Sequence, residues 1–175
     1  MLEAILIVVV VAAVAFLAFV AMRLAEFRIE RSIVVRAPAE KIQALIEDFG
    51  VWPNWSPYEK YDPAMQRMRS GPATGVGSVY EWQGNNKVGQ GRMEILEVAR
   101  PSLVRIKLDF YKPFEAHNTA EFTTRPEGGA VRLTWAMFGP SPFMSKLMGV
   151  FMNFDRMVGK DFEQGLTNLK ALAEK

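Results

Sequence analysis

The 175-residue chain contains no cysteine and only one histidine, His117. Without thiols it can form no disulfide, no cysteine-ligated zinc or iron–sulfur site and no thiol nucleophile. A single histidine also excludes a histidine-rich metal centre, so we expect no metal and no cofactor. Basic and acidic side chains nearly balance, 21 against 19, and the composition therefore does not indicate nucleic-acid binding.

Charge is also missing from one long stretch near the N-terminus. Residues 4–22 read AILIVVVVAAVAFLAFVAM. As an α-helix they would extend about 28 Å, close to the hydrocarbon thickness of a bilayer. A buried core helix is the alternative, but the stretch has no polar face. The preceding Met-Leu-Glu lacks the basic residues of a signal peptide, and only a poor cleavage site follows. We therefore predict an uncleaved transmembrane anchor over residues 1–25.

The charges on either side of the anchor predict its orientation. Only Glu3 precedes the apolar stretch, whereas four arginines follow it, at Arg23, Arg28, Arg31 and Arg36. The sequence thus predicts a single-pass membrane protein. The positive-inside rule places the part of the chain after the anchor in the cytoplasm.

Residues 26–175 show the pattern of one α+β domain. Residues 27–35 alternate between apolar and polar, with Arg31 interrupting the apolar face, and a helix is predicted to start near Pro38 and to stop at Gly50. Five further strands are predicted, over residues 76–83, 88–99, 103–111, 115–124 and 130–138. The short turns between them indicate an antiparallel meander.

The C-terminal part predicts one long helix. From Phe143 onward the apolar residues keep helical spacing for about 30 residues, against a mean helix length near 11–12, with Asp155 the one polar residue in the series. A one-faced sheet needs a cover, and this helix is long enough to provide it. We expect a curved antiparallel sheet wrapped around the helix, with leftover apolar volume between them that forms a ligand cavity.

This order of elements resembles the helix-grip superfamily of START-related, Bet v 1-like (SRPBCC) proteins, and within it the polyketide cyclase/dehydrase-type branch. The resemblance rests on residues 33–42 (IVVRAPAEKI), 49–57 (FGVWPNWSP), 75–82 (GVGSVYEW) and 128–135 (GGAVRLTW). It implies binding of a hydrophobic small molecule or lipid, with cyclisation or dehydration in some members. The N-terminal anchor is not part of the family's core pattern.

Period-2 alternation and helical spacing select candidate ligand-binding residues. Those on the inward face are Tyr80, Trp82, Phe110, Asn118 and Trp135, joined by Met144, Met148 and Met152 of the C-terminal helix. Asn118 is the polar member that could orient a ligand, and flexible methionines suit loosely defined apolar ligands. Ordinary core packing is the alternative for the apolar members.

Other patterns indicate little chemistry. The glycine-rich residues 70–77 precede a strand rather than a helix, which argues against a phosphate-binding loop. His117 is predicted to face away from the cavity if Phe122 faces the core; a bulge would instead allow Glu115 and His117 to act as an acid/base pair. Trp52, Trp55 and Tyr58 lie in a proline-rich loop, at the cavity mouth or packed over the sheet.

Two functions are weighed on this basis, and no motif supports or opposes a third, a purely structural or stress-response membrane protein. The first is a membrane-anchored binding domain for a hydrophobic small molecule or lipid, with no catalytic residue. The alternative is a cyclase/dehydrase-like enzyme that acts on an apolar substrate in the same cavity. We favour the first because no acid/base pair is clearly placed inward. The sequence indicates no protein partner.

Overall fold

The structure is a computed structural model that describes the backbone of residues 1–175 and every side chain except that of Met144. The helices are α1 (Leu2–Ala21), α2 (Ala39–Glu47), α3 (Tyr58–Tyr61), α4 (Phe143–Phe151) and α5 (Phe154–Ala173), with a 3₁₀ turn at Trp52–Asn54. The strands are β1 (Glu26–Val35), β2 (Gln66–Ser70), β3 (Val79–Gln83), β4 (Gln90–Ala99), β5 (Leu103–Lys112), β6 (Ala116–Glu127) and β7 (Ala130–Pro140).

All strands form one antiparallel sheet in the order β1-β7-β6-β5-β4-β3-β2. The helix-grip prediction is confirmed: α5 packs on β1 and β7, and α2 packs on α5 and β5. Strand alternation puts one face of the sheet towards these helices, as in β5, where Val104, Ile106 and Leu108 are buried. A register shift between Ile95 and Glu97 in β4 adds the local bend that a bulge produces.

The prediction of six strands was wrong, because the sheet has a seventh strand, β2. This five-residue edge strand has the sequence QRMRS and pairs with β3, and all five of its residues are exposed. Since no side of it faces the core, its sequence has no apolar alternation to show that it is a strand.

The prediction of one continuous C-terminal helix was also wrong. Met152 is extended (φ −124°, ψ 129°) and ends α4, and α5 then begins at Phe154. The side-chain oxygen of Asn153 accepts a hydrogen bond from the backbone N–H of Arg156 at 2.9 Å, which caps the new helix. The break lets α4 turn away from the axis of α5 and pack on α1 instead.

The helix α5 has a glycine, Gly165, where it packs on the Trp135 ring of β7. The Trp135 ring stacks on Phe162 at 4.1 Å with an interplanar angle of 8°, and a second ring, Phe122, lies 5.0 Å from Trp135. A Cβ on Gly165 would lie 2.7 Å from Cζ3 of Trp135. The absence of a side chain at Gly165 is therefore what allows this packing distance.

One end of the sheet collects the elements that matter for the site, and we call it the α1 end. Here β1 starts at Glu26, directly after α1, and β7 ends at Pro140, directly before α4. The β3–β4 and β5–β6 turns lie at the same end and touch, since a Cβ on Gly89 would lie 2.2 Å from the carbonyl oxygen of Lys112.

Helix α1 is the one helix of the described chain that is long and apolar enough to cross a membrane. Nearly all of it is exposed, which separates it from a core helix. Val20, near its C-terminal end, is the buried exception.

We expect the substitution Gly165→Ala to destabilise the fold. A methyl group there would push α5 away from the Trp135 ring, and overpacking of a core costs about 1–3 kcal/mol, more than the gain of up to ~1 kcal/mol in helix propensity. The midpoint of chemical unfolding in detergent, followed by near-UV circular dichroism of the tryptophans, should fall. Gly149→Ala in α4 is the matched control, because its nearest described atom is 3.7 Å away. Equal stability of the two variants would contradict this account.

Candidate ligand-binding cavity

A cavity of about 550 Å³ lies between the inner face of the sheet, α3 and the first half of α5. A volume of this size is typical of small-molecule sites. Most of its wall is apolar, and the apolar wall residues are Trp52, Met65, Trp82, Val88, Met93, Leu108, Phe110, Ala120, Trp135, Met137, Met157, Val158 and Phe162.

Four of the eight predicted ligand-binding residues line this cavity: Tyr80, Trp82, Phe110 and Trp135. Their positions follow from strand alternation on β3, β5 and β7. Trp82 also depends on Gly91 of the neighbouring strand, where a Cβ would lie 2.5 Å from the indole ring. The glycine thus gives the indole space to lie against β4.

The other predicted residues are placed elsewhere. Asn118 is buried and lies against Gly139 of β7. A Cβ added to Gly139 would be 2.5 Å from Oδ1 of Asn118. Met148 lies on α4 and Met152 at the helix break, both outside the cavity wall, while the side chain of Met144 lies outside the described part of the structure. The helix break is the cause, because it carries α4 away from the sheet; Met157 of α5 lines the wall instead.

An acid–tyrosine group on α5 and α3 lies in the cavity wall. The Tyr61 hydroxyl donates to Oδ1 of Asp161 at 2.5 Å. This hydrogen bond raises the pKa of Tyr61 to about 12, and burial together with the Asp161 charge raises the pKa of Tyr58. Both phenols therefore stay neutral over the physiological range and can donate hydrogen bonds.

A second acid–tyrosine group lies on β3 and α3. The Tyr80 hydroxyl donates to Oε1 of Glu59, a buried carboxylate whose Oε2 is held by Nε of Arg67 at 2.6 Å. Burial and the hydrogen bond to Glu59 both raise the pKa of Tyr80. The arginine supplies the countercharge that a buried carboxylate needs.

Sequence reasoning found Tyr58 and Tyr80 but not the other polar residues of these groups, and only one of the missed residues had a usable signal. Asp161 follows Met157 and Val158 at i+4 and i+3, so it shares their face of α5. Glu59 and Tyr61 lie on α3, which the proline-rich sequence did not predict, and Arg67 lies on the missed strand β2.

The indole N–H of Trp135 is a buried donor without an acceptor. The side chain is 4% exposed, and Nε1 has no hydrogen-bond partner among the described atoms. The benzenoid edge of the same ring, at Cζ3, points towards Gly165. A buried unpaired donor costs about 1–3 kcal/mol. Because Nε1 itself has almost no accessible surface, an acceptor in the cavity would relieve this cost only if the packing around the ring moved.

The cavity opens where its wall residues are exposed, at Tyr61, Lys87 and Met157. Two hydrogen bonds tie α3 and the residue after it to the β3–β4 turn on this rim: Oδ2 of Asp62 accepts from the Asn85 backbone N–H at 2.7 Å, and the Tyr61 carbonyl accepts from Nδ2 of Asn85 at 3.2 Å. Because the β3–β4 turn is at the α1 end of the sheet, the mouth is there as well.

His117 lies on the outer face of the sheet, as predicted. Its Nδ1 is 2.8 Å from Oδ1 of Asp109, and its Nε2 is 3.3 Å from Oε1 of Glu115. The hydrogen bond with Asp109 raises the pKa of His117. Burial opposes the charge of Asp109, but hydrogen bonds from Lys107 and His117 outweigh it and lower the pKa of that carboxyl. The pair of Glu115 and His117 therefore exists, but it does not line the cavity.

Among the described residues, no cluster of three or more histidine, aspartate or glutamate side chains could hold a metal ion.

Solved structures of several helix-grip proteins are similar to this fold. The KanY protein aligns with a TM-score of 0.64 at 16% identity, over 87% of this chain and all of that one (100%). Major latex-like protein 151 from Panax ginseng aligns with a TM-score of 0.60 at 14% identity, over 86% and 99% of the two chains. The di-domain ARO/CYC BexL of the BE-7585A biosynthetic pathway aligns with a TM-score of 0.62 at 14% identity, over 86% of this chain and 51% of its own.

At these identities the structural similarities show the fold alone. A comparison with curated proteins finds no significant match. The sequence itself matches one family model over residues 26–174, which is every strand and helix after α1. With the apolar cavity of the helix-grip fold, this match establishes that the chain belongs to the family described as polyketide cyclase / dehydrase and lipid transport, and that it contains a hydrophobic ligand-binding domain.

Proposed function

We propose that the protein is a membrane-anchored carrier or receptor domain for a hydrophobic small molecule or lipid, with an anchor over residues 1–25 and the binding domain over residues 26–175. The observation that carries the proposal is the apolar cavity of about 550 Å³ with an open mouth. Transfer of an apolar ligand out of water into this space is favourable by about 25 cal/mol per Å² of surface removed.

The few polar groups in the wall define the chemistry of the ligand. The Trp135 N–H is an unpaired donor, and the phenols of Tyr58, Tyr61 and Tyr80 are held neutral. We infer a ligand with an apolar body and one hydrogen-bond acceptor, such as a carbonyl or carboxyl oxygen, that pairs with Nε1 of Trp135 after a shift of the ring exposes this buried atom to the cavity. The four predicted wall residues Tyr80, Trp82, Phe110 and Trp135 would contact its apolar body.

Membrane anchoring by α1 is supported by the length, apolarity and exposure of the helix. For orientation, the basic groups next to the C-terminal end of α1 are Arg23 and Lys146, since Nζ of Lys146 donates to the Ala21 carbonyl at 3.2 Å. Arg36 lies at the opposite end of β1, but it is within about 15–20 residues of α1 in sequence, the range over which the rule counts basic residues. The positive-inside rule then favours a cytoplasmic domain.

A second candidate function is a polyketide cyclase/dehydrase-like enzyme, favoured by the two acid–tyrosine pairs in the wall. Tyr61 with Asp161, and Tyr80 with Glu59, place a carboxylate and a neutral phenol beside an apolar substrate. Groups of these types perform general acid–base chemistry. Mass spectrometry coupled to chromatography separates the two functions. A molecule bound by the purified protein keeps both its mass and its retention time during incubation if the domain only binds it, whereas dehydration lowers the mass by one water and cyclisation changes the retention time.

Val158→Trp should block the cavity. Val158 is half-buried in the wall of α5, and an indole there would fill the space of the ligand. We expect the affinity of the full-length protein in detergent for a fluorescent long-chain fatty acid to fall by about tenfold or more, equivalent to about 1.4 kcal/mol. Thr167→Trp, on the exposed side of the same helix, is the control. Equal affinity of both variants would reject the cavity as the binding site.

Trp135→Phe should test the acceptor of the ligand. The substitution removes the N–H but keeps an aromatic ring on Phe162, and a hydrogen bond is worth about 0.5–1.5 kcal/mol. We expect a fluorescent fatty acid to bind about two- to tenfold more weakly, while a fluorescent hydrocarbon of equal chain length binds as before. The same loss for both probes would show that only packing has changed.

His117→Ala should change the pH dependence of stability and leave ligand uptake intact. Because the pKa of His117 is raised in the folded state, its stabilising effect is complete below the unfolded pKa of about 6.5 and is lost as the pH rises through the folded pKa. The drop in melting temperature between about pH 5.5 and pH 8.5 should therefore be smaller in the variant. If fatty-acid uptake also disappeared, the outer-face cluster would belong to the function.

A further inference from the structure

We propose that α4 is an interfacial helix that dips into the membrane alongside α1, with its C-terminal end the deeper one, and turns the cavity mouth towards the bilayer. This inference rests on the proposed membrane anchoring of α1. It concerns the surface of α4 and the two turns beside it, which the family match does not explain.

Helix α4 is fixed along α1 at two levels. At the C-terminal end of α1, Nζ of Lys146 donates to the Ala21 carbonyl, and Nη1 of Arg23 donates to the Lys146 carbonyl at 3.5 Å. Further along α1, the ring of Phe151 lies 6.4 Å from that of Phe16. The two contacts are separated by five residues on α1 and by five residues on α4, so the two helices run side by side over this distance.

The contacts give a depth for α4. Five residues of α-helix span about 7–8 Å, at a rise of 1.5 Å per residue. Phe151 is therefore about that far below the C-terminal end of α1, within the apolar span that the bilayer would enclose. Interfacial helices bury their apolar faces by about 5–10 Å, so the geometry of α4 agrees with such a position.

The surface of α4 also requires an apolar surrounding. Phe151 is 76% exposed, and Phe143, Val150 and Met152 are exposed beside it. The sequence FMSKLMGVF contains one charged residue, Lys146, and its ammonium group already lies at the end of α1. Contiguous apolar surface of this kind marks an interaction site.

The bilayer is the occupant that these observations favour. The patch continues directly from the exposed apolar surface of α1, without a polar border between Phe16 and Phe151. The cationic groups Arg23 and Lys146 are near the C-terminal end of α1, where anionic headgroups would meet them. A protein partner would have to cover both helices at membrane depth.

The mouth of the cavity shares this side of the molecule. Met157, an exposed wall residue, follows Phe151 by six positions. Two exposed aromatic residues lie at the α1 end of the sheet, next to the β3–β4 turn of the rim. They are Phe114, which is 65% exposed in the β5–β6 turn, and Tyr111 at the end of β5. An apolar ligand could then pass from the bilayer into the cavity without crossing bulk water.

The absence of cysteine allows a direct test with single nitroxide labels on the full-length chain in vesicles of phosphatidylcholine and phosphatidylglycerol. The labelled variants are Leu17→Cys in α1, Phe151→Cys in α4, Phe114→Cys at the mouth and Arg125→Cys at the far end of the sheet. Relative accessibility to oxygen and to a water-soluble nickel chelate gives the depth of each label. We expect Leu17 and Phe151 at a similar depth, about 5–10 Å below the headgroups, with Phe114 in the interface and Arg125 in water.

The outcomes separate this inference from the anchor on which it rests. If Leu17 is deep but Phe151 is in water, the interfacial helix is rejected and the anchor stands. If Phe151 is interfacial but Phe114 is in water, the orientation of the mouth is rejected. Dipolar coupling between Phe151 labels of two copies, with both reagents excluded, would assign the patch to a dimer and overturn the proposal. If Leu17 itself is in water, the proposed anchor fails.

Discussion

The distance between α5 and the sheet is set by the ring stack of Trp135 on Phe162, and the cavity depends on this distance. The stack is backed by Phe122, and the missing side chain of Gly165 leaves room for the Trp135 ring. From there towards the start of α5, the side chains are Asp161, Val158 and Met157, and these line open space. A rigid aromatic contact at one level of the helix thus keeps the cavity open at the next.

Besides the ring stack, an ion-pair cluster around Arg31 holds α5 against β1. Nε of Arg31 lies 2.9 Å from Oε1 of Glu163, and its Nη2 lies 3.0 Å from Oδ2 of Asp155, with the guanidinium over Gly159. In the sequence, Arg31 and Asp155 had each interrupted an apolar series. The structure shows the reason, since the two interruptions face one another across the β1–α5 contact. Polar residues that break a pattern on two elements are therefore evidence that these elements touch.

Much of the fold could be predicted because most strands bury only one face. Alternation placed Tyr80, Trp82, Phe110 and Trp135 on the inner face and His117 on the outer face, and all five lie there. Strand β2 could not be predicted because both of its faces are exposed. The break at Met152 depends on the cap at Asn153 and on packing of α4 against α1, and helical periodicity contains neither.

The candidate site was less predictable than the fold because its polar groups come from short or irregular elements. Glu59 and Tyr61 face the cavity only because α3 is tied to the β3–β4 turn, a contact between segments more than twenty residues apart. These same contacts build the rim at the α1 end.

The position of α1, α4 and the cavity mouth at the same end of the sheet has an energetic consequence for a carrier. Exposure of an apolar ligand to water costs about 0.8 kcal/mol per methylene, so a chain of ten methylenes that crossed water would meet a barrier of about 8 kcal/mol. A mouth placed against the source of the ligand removes most of that barrier. The helix α1, the helix α4 and the mouth meet at one end of the sheet. Under the proposed function, in which α1 holds the domain to the membrane, the same helix therefore also fixes where the ligand enters.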